Sequence, residues 1–147
     1  MHDAQLESKV LRTLKNYYSS DRYQKQGLGL RGVWLNGKFS SLYLKAWKKY
    51  ISGLSQDFVV VSNFAVLDEY QHQGIARSLL TLLEDRGWNI YVECVLNPNF
   101  AGFLKRRGYI HDESTGWIQE GENLSPSFYL LSNTGSKNSL SKENSHG

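Results

Sequence analysis

Cysteine is almost absent from this sequence of 147 residues, in which Cys94 is the only one. One thiol cannot form an internal disulfide, and no cluster of Cys and His has the spacing of zinc ligands. A disulfide-stapled scaffold and a structural metal site are therefore excluded, and we expect no bound metal. This cysteine usage is typical of cytosolic proteins.

Long hydrophobic runs are missing as well. No segment approaches the ~18 consecutive apolar residues of a membrane span. The first ten residues, MHDAQLESKV, lack the basic and then apolar layout of a secretory signal. We therefore expect a cytoplasmic protein without a membrane partner. The 40% of hydrophobic residues suffices for one substantial core, whereas the chain is too short for two ordinary domains.

Charge is present in both signs but is unevenly distributed. Residues 1–56 carry ten Lys or Arg and three Asp or Glu, whereas residues 57–113 carry five and eight. Aromatic and basic residues alternate in the basic part, at Trp34, Lys38, Tyr43, Lys45, Trp47, Lys48, Lys49 and Tyr50. This pattern fits a surface for single-stranded nucleic acid or an acidic protein. We favour the alternative of core aromatics with solvated lysines, so nucleic acid is the less expected partner.

The first half of the chain predicts a helix and a hairpin. Leu6, Val10 and Leu14 recur every four residues, as on an amphipathic helix over residues 3–18. Asn36-Gly37 between two apolar runs predicts two antiparallel strands. The stretch AWKKYISGL, residues 46–54, fits either more strand or a short helix. The literal G-x-G-x-x-G at residues 27–32 lacks the preceding strand and following helix of a dinucleotide site, and predicts a flexible loop.

The second half predicts alternating strands and helices. Apolar strands at 57–67 and 89–96 are followed by helices at 74–86 and 98–107. This order is typical of a right-handed crossover between two parallel strands. We predict one α/β domain over residues 1–131, with a mixed, mostly antiparallel sheet. Residues 132–147 contain few apolar side chains and predict a disordered tail.

The turn QHQGIA, residues 71–76, leads from the first of these strands into its helix. Backbone N–H groups at a helix N-terminus carry roughly half a positive charge and attract anions. Gly74 permits close approach of a ligand and Ala76 keeps the surface flat, which suits a pyrophosphate. In the alternative interpretation the glycine only turns the chain, and water satisfies the amides.

Gln71-x-x-Gly74-x-Ala76 resembles the Q/R-x-x-G-x-G/A motif of the GNAT superfamily of N-acetyltransferases. The segment VLNPNFAGFLKRRGY is similar to another segment of that family, with Asn97 and the pair Gly108-Tyr109 at matching spacing. The resemblance covers residues 57–110. The shortness of the chain is similar to small members common in phage genomes, for which the location would be the host cytoplasm.

This resemblance implies direct transfer of an acetyl group from acetyl-CoA to an amine. The coenzyme would lie in a V-shaped gap where the two parallel strands separate. Its contacts would be Phe64, Ala65 and Val66 for the pantetheine and carbonyl, Gln71, His72, Gln73, Gly74, Ile75 and Ala76 for the pyrophosphate, and Asn97 across the cleft. A protein lysine, a protein N-terminus, a polyamine and an aminoglycoside all remain open as acceptors, and oligomeric state is not predicted.

Glu93 is the candidate for removing a proton from the acceptor amine. It is the one carboxylate in the apolar strand IYVECVL, and a buried carboxylate needs partners or a raised pKa, as a general base does. The alternative is that Glu93 lies at a strand edge or forms a structural ion pair with a basic residue. Asn63 interrupts the preceding strand and is expected to meet Glu93 and orient the acceptor through a water.

Two positions depart from the family pattern. Leu104 stands where a tyrosine often serves as general acid, and Val60 stands where some members have a glutamate base. Tyr91, Tyr109 and water are left as proton donors, and Cys94 is expected to be a small buried residue. The rival interpretation is a catalytically degenerate member that binds a partner through its basic N-terminal third.

Overall fold

The computed structural model describes residues 1–115 and 126–132. Its elements, in chain order, are α1 (Ala4–Tyr18), α2 (Asp21–Gln24), β1 (Leu30–Asn36), β2 (Ser40–Ile51), β3 (Leu54–Val66), a 3₁₀ turn (Asp68–Tyr70), α3 (Ile75–Asp85), β4 (Asn89–Glu93), α4 (Pro98–Arg106), β5 (Ile110–His111) and β6 (Phe128–Leu130). The predicted tail lies outside the described residues, except for Ser132.

The described strands form one six-stranded sheet in the order β1-β2-β3-β4-β6-β5. β3 and β4 are parallel, and every other neighbouring pair is antiparallel. The predicted fold class is therefore confirmed: an α/β domain with a mixed, mostly antiparallel sheet and a parallel central pair. α3 connects β3 to β4 and α4 connects β4 to β5, so both connections run in the same direction across the sheet. Because crossovers of this kind are right-handed, both helices lie on the same face of the sheet.

That helix-covered face contains the main core. Leu6, Val10 and Leu14 of α1 pack there, as the four-residue spacing predicts. They meet Leu79, Leu80 and Leu83 of α3, Ala101 and Leu104 of α4, and strand residues such as Val59, Val61 and Ile90. The opposite face carries a smaller cluster of Ile51, Phe58, Val60 and Tyr91, with Trp47 and Tyr129 packed against it. We call this second surface the open face.

Two tight turns join the first three strands. Asn36-Gly37 begins the predicted connection from β1 to β2. Ser52 and Gly53, with φ of 54° and 79°, connect Ile51 to its partner Leu54. Positive φ at both central residues is the geometry of a type I′ hairpin turn. The stretch at 46–54, for which strand and helix remained open, is therefore the end of β2, this turn and the first residue of β3.

The glycine motif at residues 27–32 differs from the predicted loop, because its last three residues begin β1. Gly32 has φ of 147°, and a Cβ there would lie 2.3 Å from the ring of Tyr43. Glycine is therefore required so that Tyr43 can pack across β1. None of the helices in residues 1–115 and 126–132 combines the length and apolar character needed to cross a bilayer.

Asp3 joins the start of α1 to the first hairpin. Its carboxylate accepts hydrogen bonds from the N–H groups of Leu6, Lys38 and Phe39 and from the hydroxyl of Ser40, at 2.8–3.2 Å. Burial alone would raise the pKa of Asp3, but these hydrogen bonds outweigh it, so the pKa lies below its ordinary value. A Cβ on Gly37 would lie 2.4 Å from this carboxylate, which explains the glycine there.

Candidate functional site

The parallel strands β3 and β4 separate at one end and open a cleft. They pair from Phe58–Asn89 to Ser62–Glu93, after which β4 ends while β3 continues to Val66. Asn63 has φ of 52° and marks a bulge, since Ser62 pairs with Tyr43 but Ala65 already pairs with Ser41. Bulges bend a strand and increase its twist. The pair Ser62–Glu93 is therefore the narrow end, or vertex, of a V-shaped gap.

The cleft beyond the vertex has a volume of about 760 Å³. Nine of the ten residues that the resemblance assigns to the coenzyme line it: Phe64, Ala65, Val66, Gln71, His72, Gly74, Ile75, Ala76 and Asn97. Gln73 instead lines a neighbouring groove between α3 and the start of the chain. The structure therefore brings together residues that are up to 33 positions apart in sequence, from Phe64 to Asn97.

α3 begins at the cleft without a side-chain cap. Gly74 is its N-cap with φ of 90°, and no side chain accepts a hydrogen bond there. Gln71 Nε2 instead donates to the carbonyl of Val66 and to Asp68, each at 3.2 Å, and Gln73 Nε2 donates to the carbonyl of Glu69. These two side chains brace the turn. The first N–H groups of α3, which have no partner within the helix, therefore face the cleft from a preformed turn.

The described part of the cleft wall is basic. Arg77 and Arg106 line it together with His72, and no Asp or Glu of residues 1–115 and 126–132 does. Arg106 lies over Gly102, where a Cβ would be 3.1 Å from the guanidinium Nη1. Glycine at that position lets the arginine fold back along α4. The wall therefore favours a ligand with several negative charges.

Asn97 has a structural role at the cleft edge. Its Oδ1 accepts hydrogen bonds from the N–H groups of Asn99, at 2.8 Å, and Phe100, at 3.4 Å, and so caps α4. Pro98 occupies the first helical position, where its missing N–H has no cost. The rings of Phe64 and Phe100 lie 6.2 Å apart between the two walls. Asn97 therefore fixes the start of the helix that forms the second wall.

Glu93 lies at the vertex and forms an ion pair. Its Oε1 lies 2.6 Å from Lys45 Nζ, and both side chains are 17% exposed. The structural alternative considered for this carboxylate, a basic partner, is thus present in the structure. Asn63 is exposed on the bulge, and no hydrogen bond joins it to Glu93 within the described residues. The expected meeting of these two side chains is not seen, because Ser62, and not Asn63, is the residue of β3 that pairs with Glu93.

Comparison with known proteins gives matches by fold alone. No model of a known protein family matches the chain. No curated protein matches it either. Among solved structures, a mutant of the toxin AtaT, bound to the C-terminus of the antitoxin AtaR and acetyl-CoA, is 16% identical, with a TM-score of 0.47 over 91% of this chain and 88% of that chain.

Two further structures match to a similar degree. Arabidopsis thaliana NAA60 in complex with a bisubstrate analogue is 15% identical, with a TM-score of 0.47 over 88% of this chain and 95% of that chain. A histone acetyltransferase HPA2 and related acetyltransferase from Corynebacterium glutamicum is 10% identical, with a TM-score of 0.47 over 85% and 77%. Matches of this size transfer no residue's role. The mixed sheet with its parallel, splayed pair is nevertheless the fold that the sequence resemblance implies.

The two tyrosines considered as proton donors are bound to carboxylates. Tyr109 is buried and donates to Glu84 at 2.8 Å, on the helix-covered side. Tyr91 donates to Asp112 on the open face. Burial and then these hydrogen bonds raise the pKa of both phenols well above the ordinary value. Neither tyrosine lines the cleft.

The positions that depart from the family pattern lie in the protein interior. Leu104 and Val60 are both fully buried, Leu104 in the main core and Val60 in the cluster of the open face. Cys94 was expected to be buried, but it is exposed. Its φ of 57° shows that β4 has already ended, so strand alternation no longer determines where its side chain points. The sequence analysis did not single out Arg77 or Arg106. Arg77 lies three residues after Gly74 and Arg106 four residues after Gly102, spacings that keep these residues on the same side of their helices.

Proposed function

We propose that this protein is an acetyl-CoA-dependent N-acetyltransferase that moves an acetyl group directly to an amine. The observation that carries the proposal is the cleft itself: it opens between splayed parallel strands, begins at a helix N-terminus without a side-chain cap, and has no Asp or Glu among its described wall residues. This shape and charge fit an elongated ligand with several phosphates. Acetyl-CoA is such a ligand and supplies the acetyl group as a thioester.

The binding roles follow from the residues that line the cleft. The N–H groups from Gly74 to Ala76 hold the pyrophosphate at the start of α3, and Arg77 and Arg106 add positive charge. Beyond the bulge, β3 has lost β4 as its neighbour. The N–H groups on that edge, around Phe64 to Val66, are therefore positioned to donate to the pantetheine and to the thioester carbonyl oxygen.

Glu93 is the proposed proton acceptor for the attacking amine. It is the last residue of β4 and lies at the vertex, towards which the narrow reactive end of a ligand in the gap would point. The acceptor is an amine, of which a lysine or N-terminus of a protein is our leading class. We assign no side chain as proton donor to the departing thiolate, because Tyr91 and Tyr109 are bound to carboxylates outside the cleft.

Titration calorimetry with acetyl-CoA tests the coenzyme site, using wild type, Gly74→Glu and Gly74→Ala. Both variants share the backbone strain of a non-glycine residue at φ of 90°. A Cβ at this position makes only ordinary contacts, the nearest at 3.6 Å. Only glutamate adds negative charge beside the phosphates, which we expect to cost at least ~2 kcal/mol, or roughly thirtyfold in Kd. Equal affinities of the two variants, or a folded wild type that does not bind, would overturn the coenzyme assignment.

A catalytically degenerate binding protein is the second candidate. The observation that favours it is the core position of Leu104, which leaves the cleft without the tyrosine of the family pattern. Wild-type protein that binds acetyl-CoA but acetylates no amine in a panel of peptides, polyamines and aminoglycosides would support this second function. Turnover on any of these acceptors, together with its loss in Glu93→Gln, would support the enzyme.

A further inference from the structure

We propose that Lys45 is an acceptor of the protein's own acetyl transfer, so that the chain acetylates itself at this side chain. The inference rests on the proposed function, since it requires acetyl-CoA in the cleft. It makes the ion pair of Lys45 and Glu93 at the vertex a site of covalent acetylation. Three features carry it: the distance from Lys45 to Glu93, the position of the pair relative to the gap, and the contrast with Lys49.

The amine of Lys45 already occupies the position that an acceptor amine needs. Its Nζ lies 2.6 Å from Oε1 of Glu93, the proposed proton acceptor, which is hydrogen-bond distance for proton transfer. Glu93 belongs to the last pair of β3 and β4 before they separate. An amine held by this carboxylate therefore lies where the narrow end of the gap opens.

The pair lies on the open face, across the sheet from the helices. Lys45 Nζ is 4.7 Å from the centroid of the Trp47 ring, and Trp47 packs on the cluster of that face. The helices that wall the cleft pack on the opposite face. A ligand in the cleft can therefore reach Lys45 only through the gap between β3 and β4. A thioester that enters the gap from the cleft would therefore meet the amine of Lys45 at the vertex, where the reacting atoms can come into contact, as direct transfer requires.

Lys49 is a matched lysine on the same strand and face. Its Nζ lies 5.4 Å from the same Trp47 ring, but it also lies over Tyr91, at 3.9 Å, rather than beside Glu93. Lys45 pairs with Val60 and Lys49 with Gln56, so Lys49 is four residues, or about 13 Å along the strand, further from the vertex. The two lysines have similar aromatic surroundings but differ in their distance from the vertex. Lys49 is therefore the control for Lys45 within the same chain.

The chemical step balances with the groups named. The ammonium of Lys45 gives a proton to the carboxylate of Glu93, and the neutral Nζ attacks the thioester carbon of acetyl-CoA. A C–N bond forms and the C–S bond breaks. As the amide forms, the nitrogen loses its second proton through water, and the departing thiolate of coenzyme A takes up this proton to become the thiol. The products are acetyl-Lys45 and free coenzyme A, without an external oxidant or reductant.

Peptide mass spectrometry, with the time course of acetylation at each lysine, tests the proposal in the full chain. Wild type, Glu93→Gln and Gly74→Glu are incubated with acetyl-CoA, and wild type is also analysed as purified, without added coenzyme. We expect Lys45 to be acetylated at least tenfold faster than Lys48 or Lys49, and to carry acetyl groups in the purified protein. Both variants should reduce the rate at Lys45 at least tenfold and leave the rates at Lys48 and Lys49 unchanged.

Calorimetry on the same samples separates this inference from the proposed function. Protein that binds acetyl-CoA but modifies Lys45 no faster than Lys49 would overturn self-acetylation and leave the coenzyme site intact. Modification of Lys45 that persists in Gly74→Glu would show uncatalysed chemistry and overturn it as well. Lys45→Arg keeps a cation for Glu93, so it should bind acetyl-CoA as wild type does and lose only the acetylation at position 45.

Discussion

The N-termini of α1 and α3 differ in how their partial positive charge is balanced. α1 begins at Asp3, which is 1% exposed and whose carboxylate accepts hydrogen bonds from Leu6 of the helix and from residues of the first hairpin. α3 begins at Gly74, where no side chain accepts a hydrogen bond. Both helices present free N–H groups and a positive end. The chain supplies an internal anion to the first helix and leaves the second open at the cleft.

The N-terminus of α1 therefore contributes to stability, whereas the N-terminus of α3 is available for binding. Because Asp3 satisfies donors from both a helix and a turn, it serves the fold, and Gly37 leaves the space that its carboxylate occupies. The turn before α3 is braced by Gln71 and Gln73 without filling the anion position. A preformed but unfilled anion position reduces the ordering that a phosphate ligand must impose on binding.

Removing the internal anion should have the largest effect. Asp3→Ala leaves the N–H groups of Leu6, Lys38 and Phe39 and the hydroxyl of Ser40 without their acceptor. Loss of a helix cap together with buried donors without partners should lower the free energy of unfolding by roughly 3–5 kcal/mol. Urea denaturation measures this loss.

Asp21→Ala is the control for the change of charge. Asp21 is 75% exposed and, in the part of the chain that the structure describes, forms an ion pair with Lys25 at 3.7 Å, so its replacement should leave stability nearly unchanged. A loss below ~1 kcal/mol for Asp3→Ala would contradict the role that we give to this carboxylate.

The contribution of Asp3 should also depend on pH. Its pKa is lowered in the folded protein from the ordinary value of 3.8, so its stabilising effect is fully present above that value and is lost as pH falls through the folded pKa. The difference in unfolding free energy between wild type and Asp3→Ala should be constant from about pH 7 to 5 and decrease below about pH 4. Asp112, whose pKa is also lowered, is present in both proteins and cancels. A difference that grows in acid would reverse the expected sign.

A smaller effect is expected from the cations around the open helix end. Arg106→Gln should weaken acetyl-CoA binding about three- to tenfold, and added salt should reduce this difference because exposed charges are screened. Arg86→Gln removes the same charge at the far end of α3, outside the cleft, and should leave the Kd unchanged. Equal effects of the two variants would show that net charge, and not the cleft wall, governs affinity.

Local sequence patterns predicted most of the fold. Leu6, Val10 and Leu14 identified α1 by their spacing, Asn36-Gly37 identified the first hairpin, and the strand-helix alternation identified the parallel pair. Each of these signals lies within one element of the chain or in the order of consecutive elements. The turn of residues 71–76 was visible in the same way, since its glycine and small residues lie between a strand and a helix.

Contacts between distant segments could not be read from the sequence. Asp3 binds residues 35–37 positions away, and Glu93 pairs with a lysine 48 positions away. The sequence at Asp3 has the pattern of a capping residue before an amphipathic helix. It does not show that the same carboxylate also binds Lys38, Phe39 and Ser40. The bulge at Asn63 lies between the pairs Tyr43–Ser62 and Ser41–Ala65 and left no signal in the local sequence pattern. The predicted contact between Asn63 and Glu93 is not seen because Glu93 pairs with Ser62, and this pairing joins segments 31 positions apart in sequence.

Cys94 provides a site for selective chemical labelling beside the vertex. It is the only cysteine in the sequence, it is exposed, and it directly follows Glu93. A maleimide dye would therefore attach at one position beside the gap without any change to the sequence. Fluorescence from that position would report when a ligand enters between the strands, in real time and without an amino-acid substitution.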